Sequence, residues 1–416
     1  IRQLPHHALI PVSGRLNAEV WGEWQTGSPQ RMQGVLDLRD AQLSSQSGPL
    51  IVDHLNSMFS FQCTHRKNWR LDLAGLTVGY AGEQWQSERF SVARNIPADL
   101  GLWVSADYVE LDYPLQLTQR IIANYKTPWP ATIPNRARGG VMDFDLVLDG
   151  KWKIDRLTGQ LQNGHFWGWD NGPDIEGINA RIDMEKGLGN ISFDGQAVKL
   201  DWLRVFRRPV LLAMEDCFLE VLWTGKTDWR FDLNRCRASN EDMAVSGRVR
   251  IKSDEGKPRV DINVAMERGD MSRFGDYWPE NVMKAKTLRW LRTSLLDGMV
   301  KNGRYSMVGD MDDFPFTNYR GRLQAIAPIQ QASLKYADGW PIAKGVAGTA
   351  VFEGRGMTVE GRIGDAAGAV VDRVTASIDD FKSPLLDVTY QTSTDLPALV
   401  RFIRNTPLLD GLELDP

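Results

Sequence analysis

Cysteine and histidine are scarce in this sequence and long apolar runs are absent, and each shortage closes off a class of function. Three cysteines in 416 residues, Cys63, Cys217 and Cys236, are too few for a disulfide framework and too scattered for a zinc site. If residues 217–236 form a hairpin, Cys217 and Cys236 lie diagonally on one face, a separation usually too long for a disulfide. Three buried thiols are therefore expected. The five histidines include the adjacent His6 and His7, while His54, His65 and His165 have no His or Cys partner at ligand spacing. Neither a Gly-x-Ser-x-Gly elbow nor a Walker-type loop occurs. Gly187-Leu188-Gly189 lacks the last glycine and the following helix of a dinucleotide loop, so it reads as a strand-to-strand turn. Asp310-Met311-Asp312-Asp313 fails as a calcium loop, because Phe314 and Pro315 fall where a ligand and a glycine are needed. It reads as a solvated acidic turn before Phe314-Pro315-Phe316. No catalytic residue, no metal ligand and no cofactor is expected.

The longest apolar run, Val210 to Met214, is far short of the roughly 20 residues that cross a bilayer. No signal peptide is recognisable. The chain starts at Ile1 without an initiator Met and stops after Leu412-Glu413-Leu414-Asp415-Pro416. It reads as a piece of something larger, in which a missing targeting segment says little about location. Charge is nearly balanced, 49 basic against 53 acidic residues for a net −4, with no basic tract. Nucleic acid is a disfavoured partner.

What the chain has is apolar residues, 42% of the total, laid out with a period of two. In Arg259-Val260-Asp261-Ile262-Asn263-Val264-Ala265-Met266-Glu267 every even position is apolar and most odd ones are polar. The pattern recurs at Met142-Asp143-Phe144-Asp145-Leu146, from Ile178 to Met184, and at Leu386-Asp387-Val388-Thr389-Tyr390. Such runs are half-buried antiparallel strands, apolar on one face and wet on the other. Turns at Asn171-Gly172-Pro173 and Thr224-Gly225-Lys226 separate them. Three helices interrupt the pattern. One covers 287–297, with Leu288, Leu291 and Leu295 on one face and Gly298 as C-cap. A second is N-capped by Asp395, with Pro397 in its first turn and Leu399, Phe402 and Ile403 on its apolar side. A third covers 114–125.

The sequence also repeats itself. Trp69-Arg70-Leu71-Asp72-Leu73 returns as Trp229-Arg230-Phe231-Asp232-Leu233, and Gly159-Gln160-Leu161-Gln162 as Gly321-Arg322-Leu323-Gln324. The strand from Gly177 to Glu185 resembles that from Gly345 to Glu353, and residues 203–210 resemble 401–408. Four matches in the same order indicate a duplicated module, 57–212 and 217–410, of a kind that builds extended arrays. The 15 tryptophans raise a rival reading. Trp152, His165, Trp167 and Trp169 lie close in sequence to Asp170 and Asp174, and rings beside carboxylates can bind or cleave sugars. Core packing is the plainer account of most of these rings.

The second half carries a more specific signal. Tyr277-Trp278-Pro279, the helix ending Leu296-Asp297-Gly298, Asp313-Phe314-Pro315-Phe316, Gly321-Arg322-Leu323, Tyr336 with Gly339-Trp340-Pro341, and Thr406-Pro407-Leu408 follow in order. In this the chain, over roughly 200–410, resembles the AsmA-like envelope proteins, within them the YhdP branch. The resemblance implies an inner-membrane-anchored periplasmic protein of Gram-negative bacteria. Its long, curled β-sheet would form a hydrophobic groove that carries phospholipid towards the outer membrane without catalysis.

The fold expected is thus mainly β: an elongated, curled antiparallel sheet forming an open hydrophobic groove, with a few short helices. Residues 1–416 would form one continuous fragment of it. The lining expected is Leu71, Leu73, Met142, Phe144, Leu146, Ile178, Ala180, Ile182, Trp229, Phe231, Leu233, Val260, Ile262, Val264 and Met266. Phospholipid is the expected partner, with the inner membrane reached through an anchor outside this chain and with outer-membrane or other envelope proteins as candidates. Two alternatives stay open, a structural or adhesive β protein with a closed core and a carbohydrate-binding or carbohydrate-active protein.

Overall fold

Alternation of apolar and polar side chains over ten or more residues favours long strands, and long strands are what form. The computed structural model describes residues 10–25, 28–44, 50–65, 68–80, 82–95, 100–112, 135–150, 153–167, 173–223, 229–254, 257–278, 285–314, 320–383 and 385–407, with single positions 115, 116, 119, 280 and 316. Contacts divide the chain into two compact units, residues 1–200 and 201–416.

The first unit holds β1 (Ile10–Gln25), β2 (Ser28–Ser44), β3 (Leu50–His65), β4 (Asn68–Tyr80), β5 (Glu83–Arg94), β6 (Leu100–Glu110), β7 (Arg136–Asp149), β8 (Ile154–Trp167), β9 (Asp174–Glu185) and β10 (Leu188–Asp201). Each strand pairs antiparallel with the next in sequence. The second unit repeats this plan with β11 (Val210–Trp223), β12 (Trp229–Ser239), β13 (Met243–Asp254), β14 (Lys257–Asp270), β15 (Leu295–Asp310), β16 (Arg322–Leu334), β17 (Ala343–Glu353), β18 (Gly356–Ala366), β19 (Ala369–Ile378) and β20 (Leu386–Gln391). Here too sequence neighbours pair antiparallel, from β11 through β20. The expected antiparallel architecture is present. Most of these strands run well past the five or six residues usual in globular proteins.

The strands are kinked. Asp143 on β7 and Gly75 on β4 adopt φ of 51° and 60°, and pairing slips by a residue at Ser57 of β3, between Asn56 and Met58. A residue inserted at such a bulge bends the strand and raises its twist. Gly298, expected as a helix C-cap, is one of these kinks. The helix, α1, covers Ala285–Ser294, and Leu295 already opens β15. Gly298 lies within that strand at φ 120°, where an added Cβ would come within 2.5 Å of the Ala332 Cβ. Close backbone approach, and not helix termination, explains this glycine.

The second helix, α2 (Leu396–Arg404), forms as expected. The Asp395 carboxylate accepts from the Ala398 backbone N–H at 2.7 Å, and Leu399, Phe402 and Ile403 are half-buried. Gly187 occupies the turn between β9 and β10, and residues 311–313 form a 3-10 turn. Most of 114–125, and the turns at 171–172 and 224–226, lie outside the described residues.

The cysteines overturn an expectation. Cys217 and Cys236 form a disulfide, and three free thiols are therefore not what the fold holds. The diagonal geometry fails because pairing of β11 with β12 jumps from Glu215↔Arg237 to Phe218↔Arg235. The bulge at Asp216, φ 52°, brings Cys217 opposite Cys236 with Cα atoms 4.0 Å apart. Closing a loop with a sequence separation of 19 stabilises a fold by about 3 kcal/mol, mainly by restricting the unfolded chain. Replacing both cysteines by serine should lower the stability of the second unit by about that amount and leave the first unit unchanged. Denaturant unfolding followed by hydrogen exchange in each unit would measure it, and equal losses in both would contradict the assignment.

Candidate binding face

Because side chains alternate and neighbouring strands are in register, one face of each unit collects apolar side chains into rows that run across the strands. In the first unit a row passes through Met32, Phe61, Leu71, Val92, Val104, Leu146, Leu157 and Met184, one residue from each of β2 to β9. All eight are half-buried. Seven inter-strand spacings of about 4.8 Å carry this row some 34 Å. A parallel row contains Phe59, Leu73, Phe90, Ala106 and Phe144. In the second unit Leu219, Leu233, Val249, Ile262, Met307 and Leu323 make the corresponding row, flanked by Val264, Tyr305, Ala325 and Phe352. None of these residues is charged. Burial pushes the Tyr305 hydroxyl above its ordinary value, so it too stays neutral near pH 7.

Seven of the fifteen residues expected to line a groove fall on these rows: Leu71, Leu73, Phe144 and Leu146 in the first unit, Leu233, Ile262 and Val264 in the second. Ala180 and Ile182 on β9 pair with Leu161 and Gly159, and Ile178 pairs with Gly164. Phe231 joins Val221, Ile251 and Val260, with the Trp229 ring 5.6 Å away. Met266 pairs with Val245 and Gly303.

Two residues stand apart. Val260 is only 5% exposed, because Phe316 from the turn after β15 packs over it and Met307. Met142 is separated from Phe144 by the kink at Asp143. It is 39% exposed, and its sulfur sits 2.9 Å from the Gln162 side-chain amide, on the side of the polar residues. Phe61, Val92, Val104, Leu157 and Met184 were not among the expected residues, although short alternations such as Phe90-Ser91-Val92 signal two of their strands.

The opposite face is charged and braced. On it Arg70 Nε lies 2.9 Å from Asp72, which also accepts from Ser91 Oγ at 2.6 Å. The Arg70 guanidinium stacks over Trp103 at 5.0 Å, and Asp145 accepts from Trp103 at 2.7 Å and from Arg156 at 2.8 Å. One network thus ties β4 to β8. Burial alone would raise the Asp72 pKa, but the hydrogen bonds from Arg70 and Ser91 outweigh it and hold the carboxyl below its ordinary range.

In the second unit Asp232, expected to be wet, is 3% exposed. Arg230 and Arg250 cover it at 2.9 and 2.5 Å. The paired Trp-Arg-x-Asp-Leu segments therefore do the same two things in both units: their apolar residues join the apolar face and their acids anchor the polar one. Of the aromatic group that suggested sugar chemistry, Trp167 donates to Glu176 at 3.2 Å. Trp152, Trp169 and Asp170 lie outside the described residues.

The profile of the YhdP protein family matches residues 2–414. The chain belongs to that family. The intermembrane phospholipid transporter YhdP of Escherichia coli strain K12 is 19% identical over 380 residues, which cover 88% of this chain and 30% of that protein. The chain thus spans less than a third of this relative's length. No solved structure matches.

Two outcomes test the braces of this YhdP-family chain. Asp72 has a lowered folded-state pKa, so its contribution to stability is present above the unfolded value and lost as pH falls through the folded one. The stability difference between wild type and Asp72→Asn should therefore be constant near neutrality and vanish as pH drops below 3.8, in urea titrations at stepped pH. At Asp232 the order of costs is diagnostic. Arg230→Gln with Arg250→Gln leaves a buried carboxylate uncompensated and should cost about 3–5 kcal/mol. Asp232→Asn, which leaves only half-exposed arginines, should cost less and should partly rescue the double variant.

Proposed function

We propose that this chain is a non-catalytic segment of an intermembrane phospholipid conduit, its apolar face shielding acyl chains in an open hydrophobic groove. One observation carries the reading: uncharged apolar rows that continue across six to eight strands, the eight-strand row of the first unit being half-buried at every position. A closed structural core would bury such rows fully. An acyl chain gains about 0.8 kcal/mol for each CH₂ removed from water, and a long apolar surface with no reactive group supplies that. The polar headgroup remains in water at the open side. The name of the Escherichia coli relative, an intermembrane phospholipid transporter, supports the same ligand. The disulfide supports an oxidising compartment such as the periplasm. The membranes and any envelope protein partners would be engaged by other parts of the longer protein. The Trp-Arg-x-Asp-Leu segments lie on β4 and β12, and two further matched pairs lie on β8 and β16 and on β9 and β17, again eight strands apart. We read this spacing as support for duplication of one groove-building module.

The reading makes lipid contact obey strand parity. A photo-crosslinking residue at Ile262 or Phe231 should capture phospholipid, and one at Asp261 should not. Ile262→Asp places a charge that must be hydrated on a half-open wall, so it should leave the protein folded but depleted of co-purifying lipid. At a plain core position the same change would cost several kcal/mol and unfold the unit. An unfolded Ile262→Asp protein, or crosslinking that ignores parity, would overturn the assignment.

A further inference from the structure

The apolar face of the first unit is not uniform, and a line of kinks divides it. Ser57 on β3 opposes Gly75 on β4, and the β4 kink continues into β5 through Ala74↔Arg89. The Arg89 backbone N–H donates to Asp107 of β6 at 3.2 Å, and Asp107 lies across from Asp143 of β7 between the pairs Ala106↔Phe144 and Tyr108↔Met142. The kinks form a polar seam. Ser87 Oγ donates to Asp107 at 2.5 Å, and Ser57 Oγ donates to the Ala74 carbonyl at 3.1 Å. Apolar side chains from both sides of the seam meet in one cluster that includes Leu73, Leu76, Trp85, Phe90 and Val109, so they share a face.

Burial differs sharply across the seam. On the hairpin side of β3 to β8, Phe61, Leu71, Val92, Val104, Leu146 and Leu157 are all half-buried. Beyond it, Leu76, Trp85, Val109, Val141 and Leu161 are at most 9% exposed.

We propose that the seam is one bank of the lipid path: acyl chains lie on the hairpin side, over the rows containing Val104 and Leu157, and never over the closed floor of Leu76, Val109 and Val141. The inference rests on the conduit reading and narrows it to one strip of the apolar face. The occupant is the acyl portion of a glycerophospholipid, because the strip carries no charge and offers no hydrogen-bonding group. Beyond the kink Leu76, Val109 and Val141 are covered by the protein's own side chains, which leaves little of their apolar area for a ligand, while Leu55, Val78 and Tyr108 at their side are half-buried.

The decisive comparison uses positions on the same face, so that parity alone cannot produce the result. Photo-crosslinking residues at Val104 and Leu157, and at Val109 and Val141, are introduced one at a time into the full chain in cells making radiolabelled phospholipid. Adducts several-fold stronger at Val104 and Leu157 are expected. Equal capture on both sides, or stronger capture at Val109 and Val141, removes the boundary while leaving a conduit. Capture at none of the four positions, nor at Ile262 and Phe231, sinks the conduit reading itself. A second measurement guards against misfolding at the buried sites. Val104→Asp should keep the wild-type circular dichroism spectrum and lose co-purifying lipid, whereas Val141→Asp should lose the fold. A folded Val141→Asp protein depleted of lipid would place the path beyond the seam and overturn the proposal.

Discussion

Strand register is the constraint on which everything else depends. A side-chain period of two separates an apolar face from a charged one only while each strand keeps its alignment with the next, since a slip of one residue exchanges the faces. Meanders of ten strands multiply that risk, because each strand takes its alignment from its neighbour. The fold answers with fixings on both faces. On the charged side the Asp72–Arg70–Trp103–Asp145–Arg156 chain spans five strands, and Asp232 joins β12 to β13 through Arg250. In the second unit the Cys217–Cys236 bond fixes β11 against β12 at the bulge where their ladder is weakest.

The ion pairs gain importance from their position. Exposed pairs of this kind contribute 0–1 kcal/mol each, too little to hold a sheet together. Their selectivity matters more. A slipped register would bury Arg250 or Asp232 among apolar side chains, at a cost far above what a correct pair contributes. The same charges that add little to the native state therefore exclude its nearest competitors. Burial of Asp232 sharpens this, because a carboxylate without water must keep both of its arginines.

The alternation that builds the faces was legible in the sequence, and so were the antiparallel class, α2 with its Asp395 cap, and seven residues of the apolar rows. Three of the features that escaped share one cause. Bulges are set by single residues at positive φ, and Asp143, Asp216 and Gly298 carry no local pattern that distinguishes them from ordinary turn or strand residues. Asp143 moves Met142 off the face of Phe144. Asp216 turns a diagonal cysteine pair into a directly opposed one. Gly298 imitates a helix cap while serving a close strand approach. Val260 was invisible for another reason, since its cover, Phe316, arrives from a turn more than fifty residues away and no periodicity records that contact.

An apolar strip bounded by charge on one face and by a filled floor on the other sets what such a surface can discriminate. With no charge in its rows, such a surface would discriminate little between headgroups, and a methylene more or less would change affinity by only about 1–3 kcal/mol. Weak selectivity suits a surface over which a ligand must slide, because any strong local contact would become a trap. The kinks serve the same end. On the proposed path the buried side chains beyond the seam would limit the width open to an acyl chain, and a narrow strip of even, uncharged surface would hold a chain without giving it a preferred place to stop.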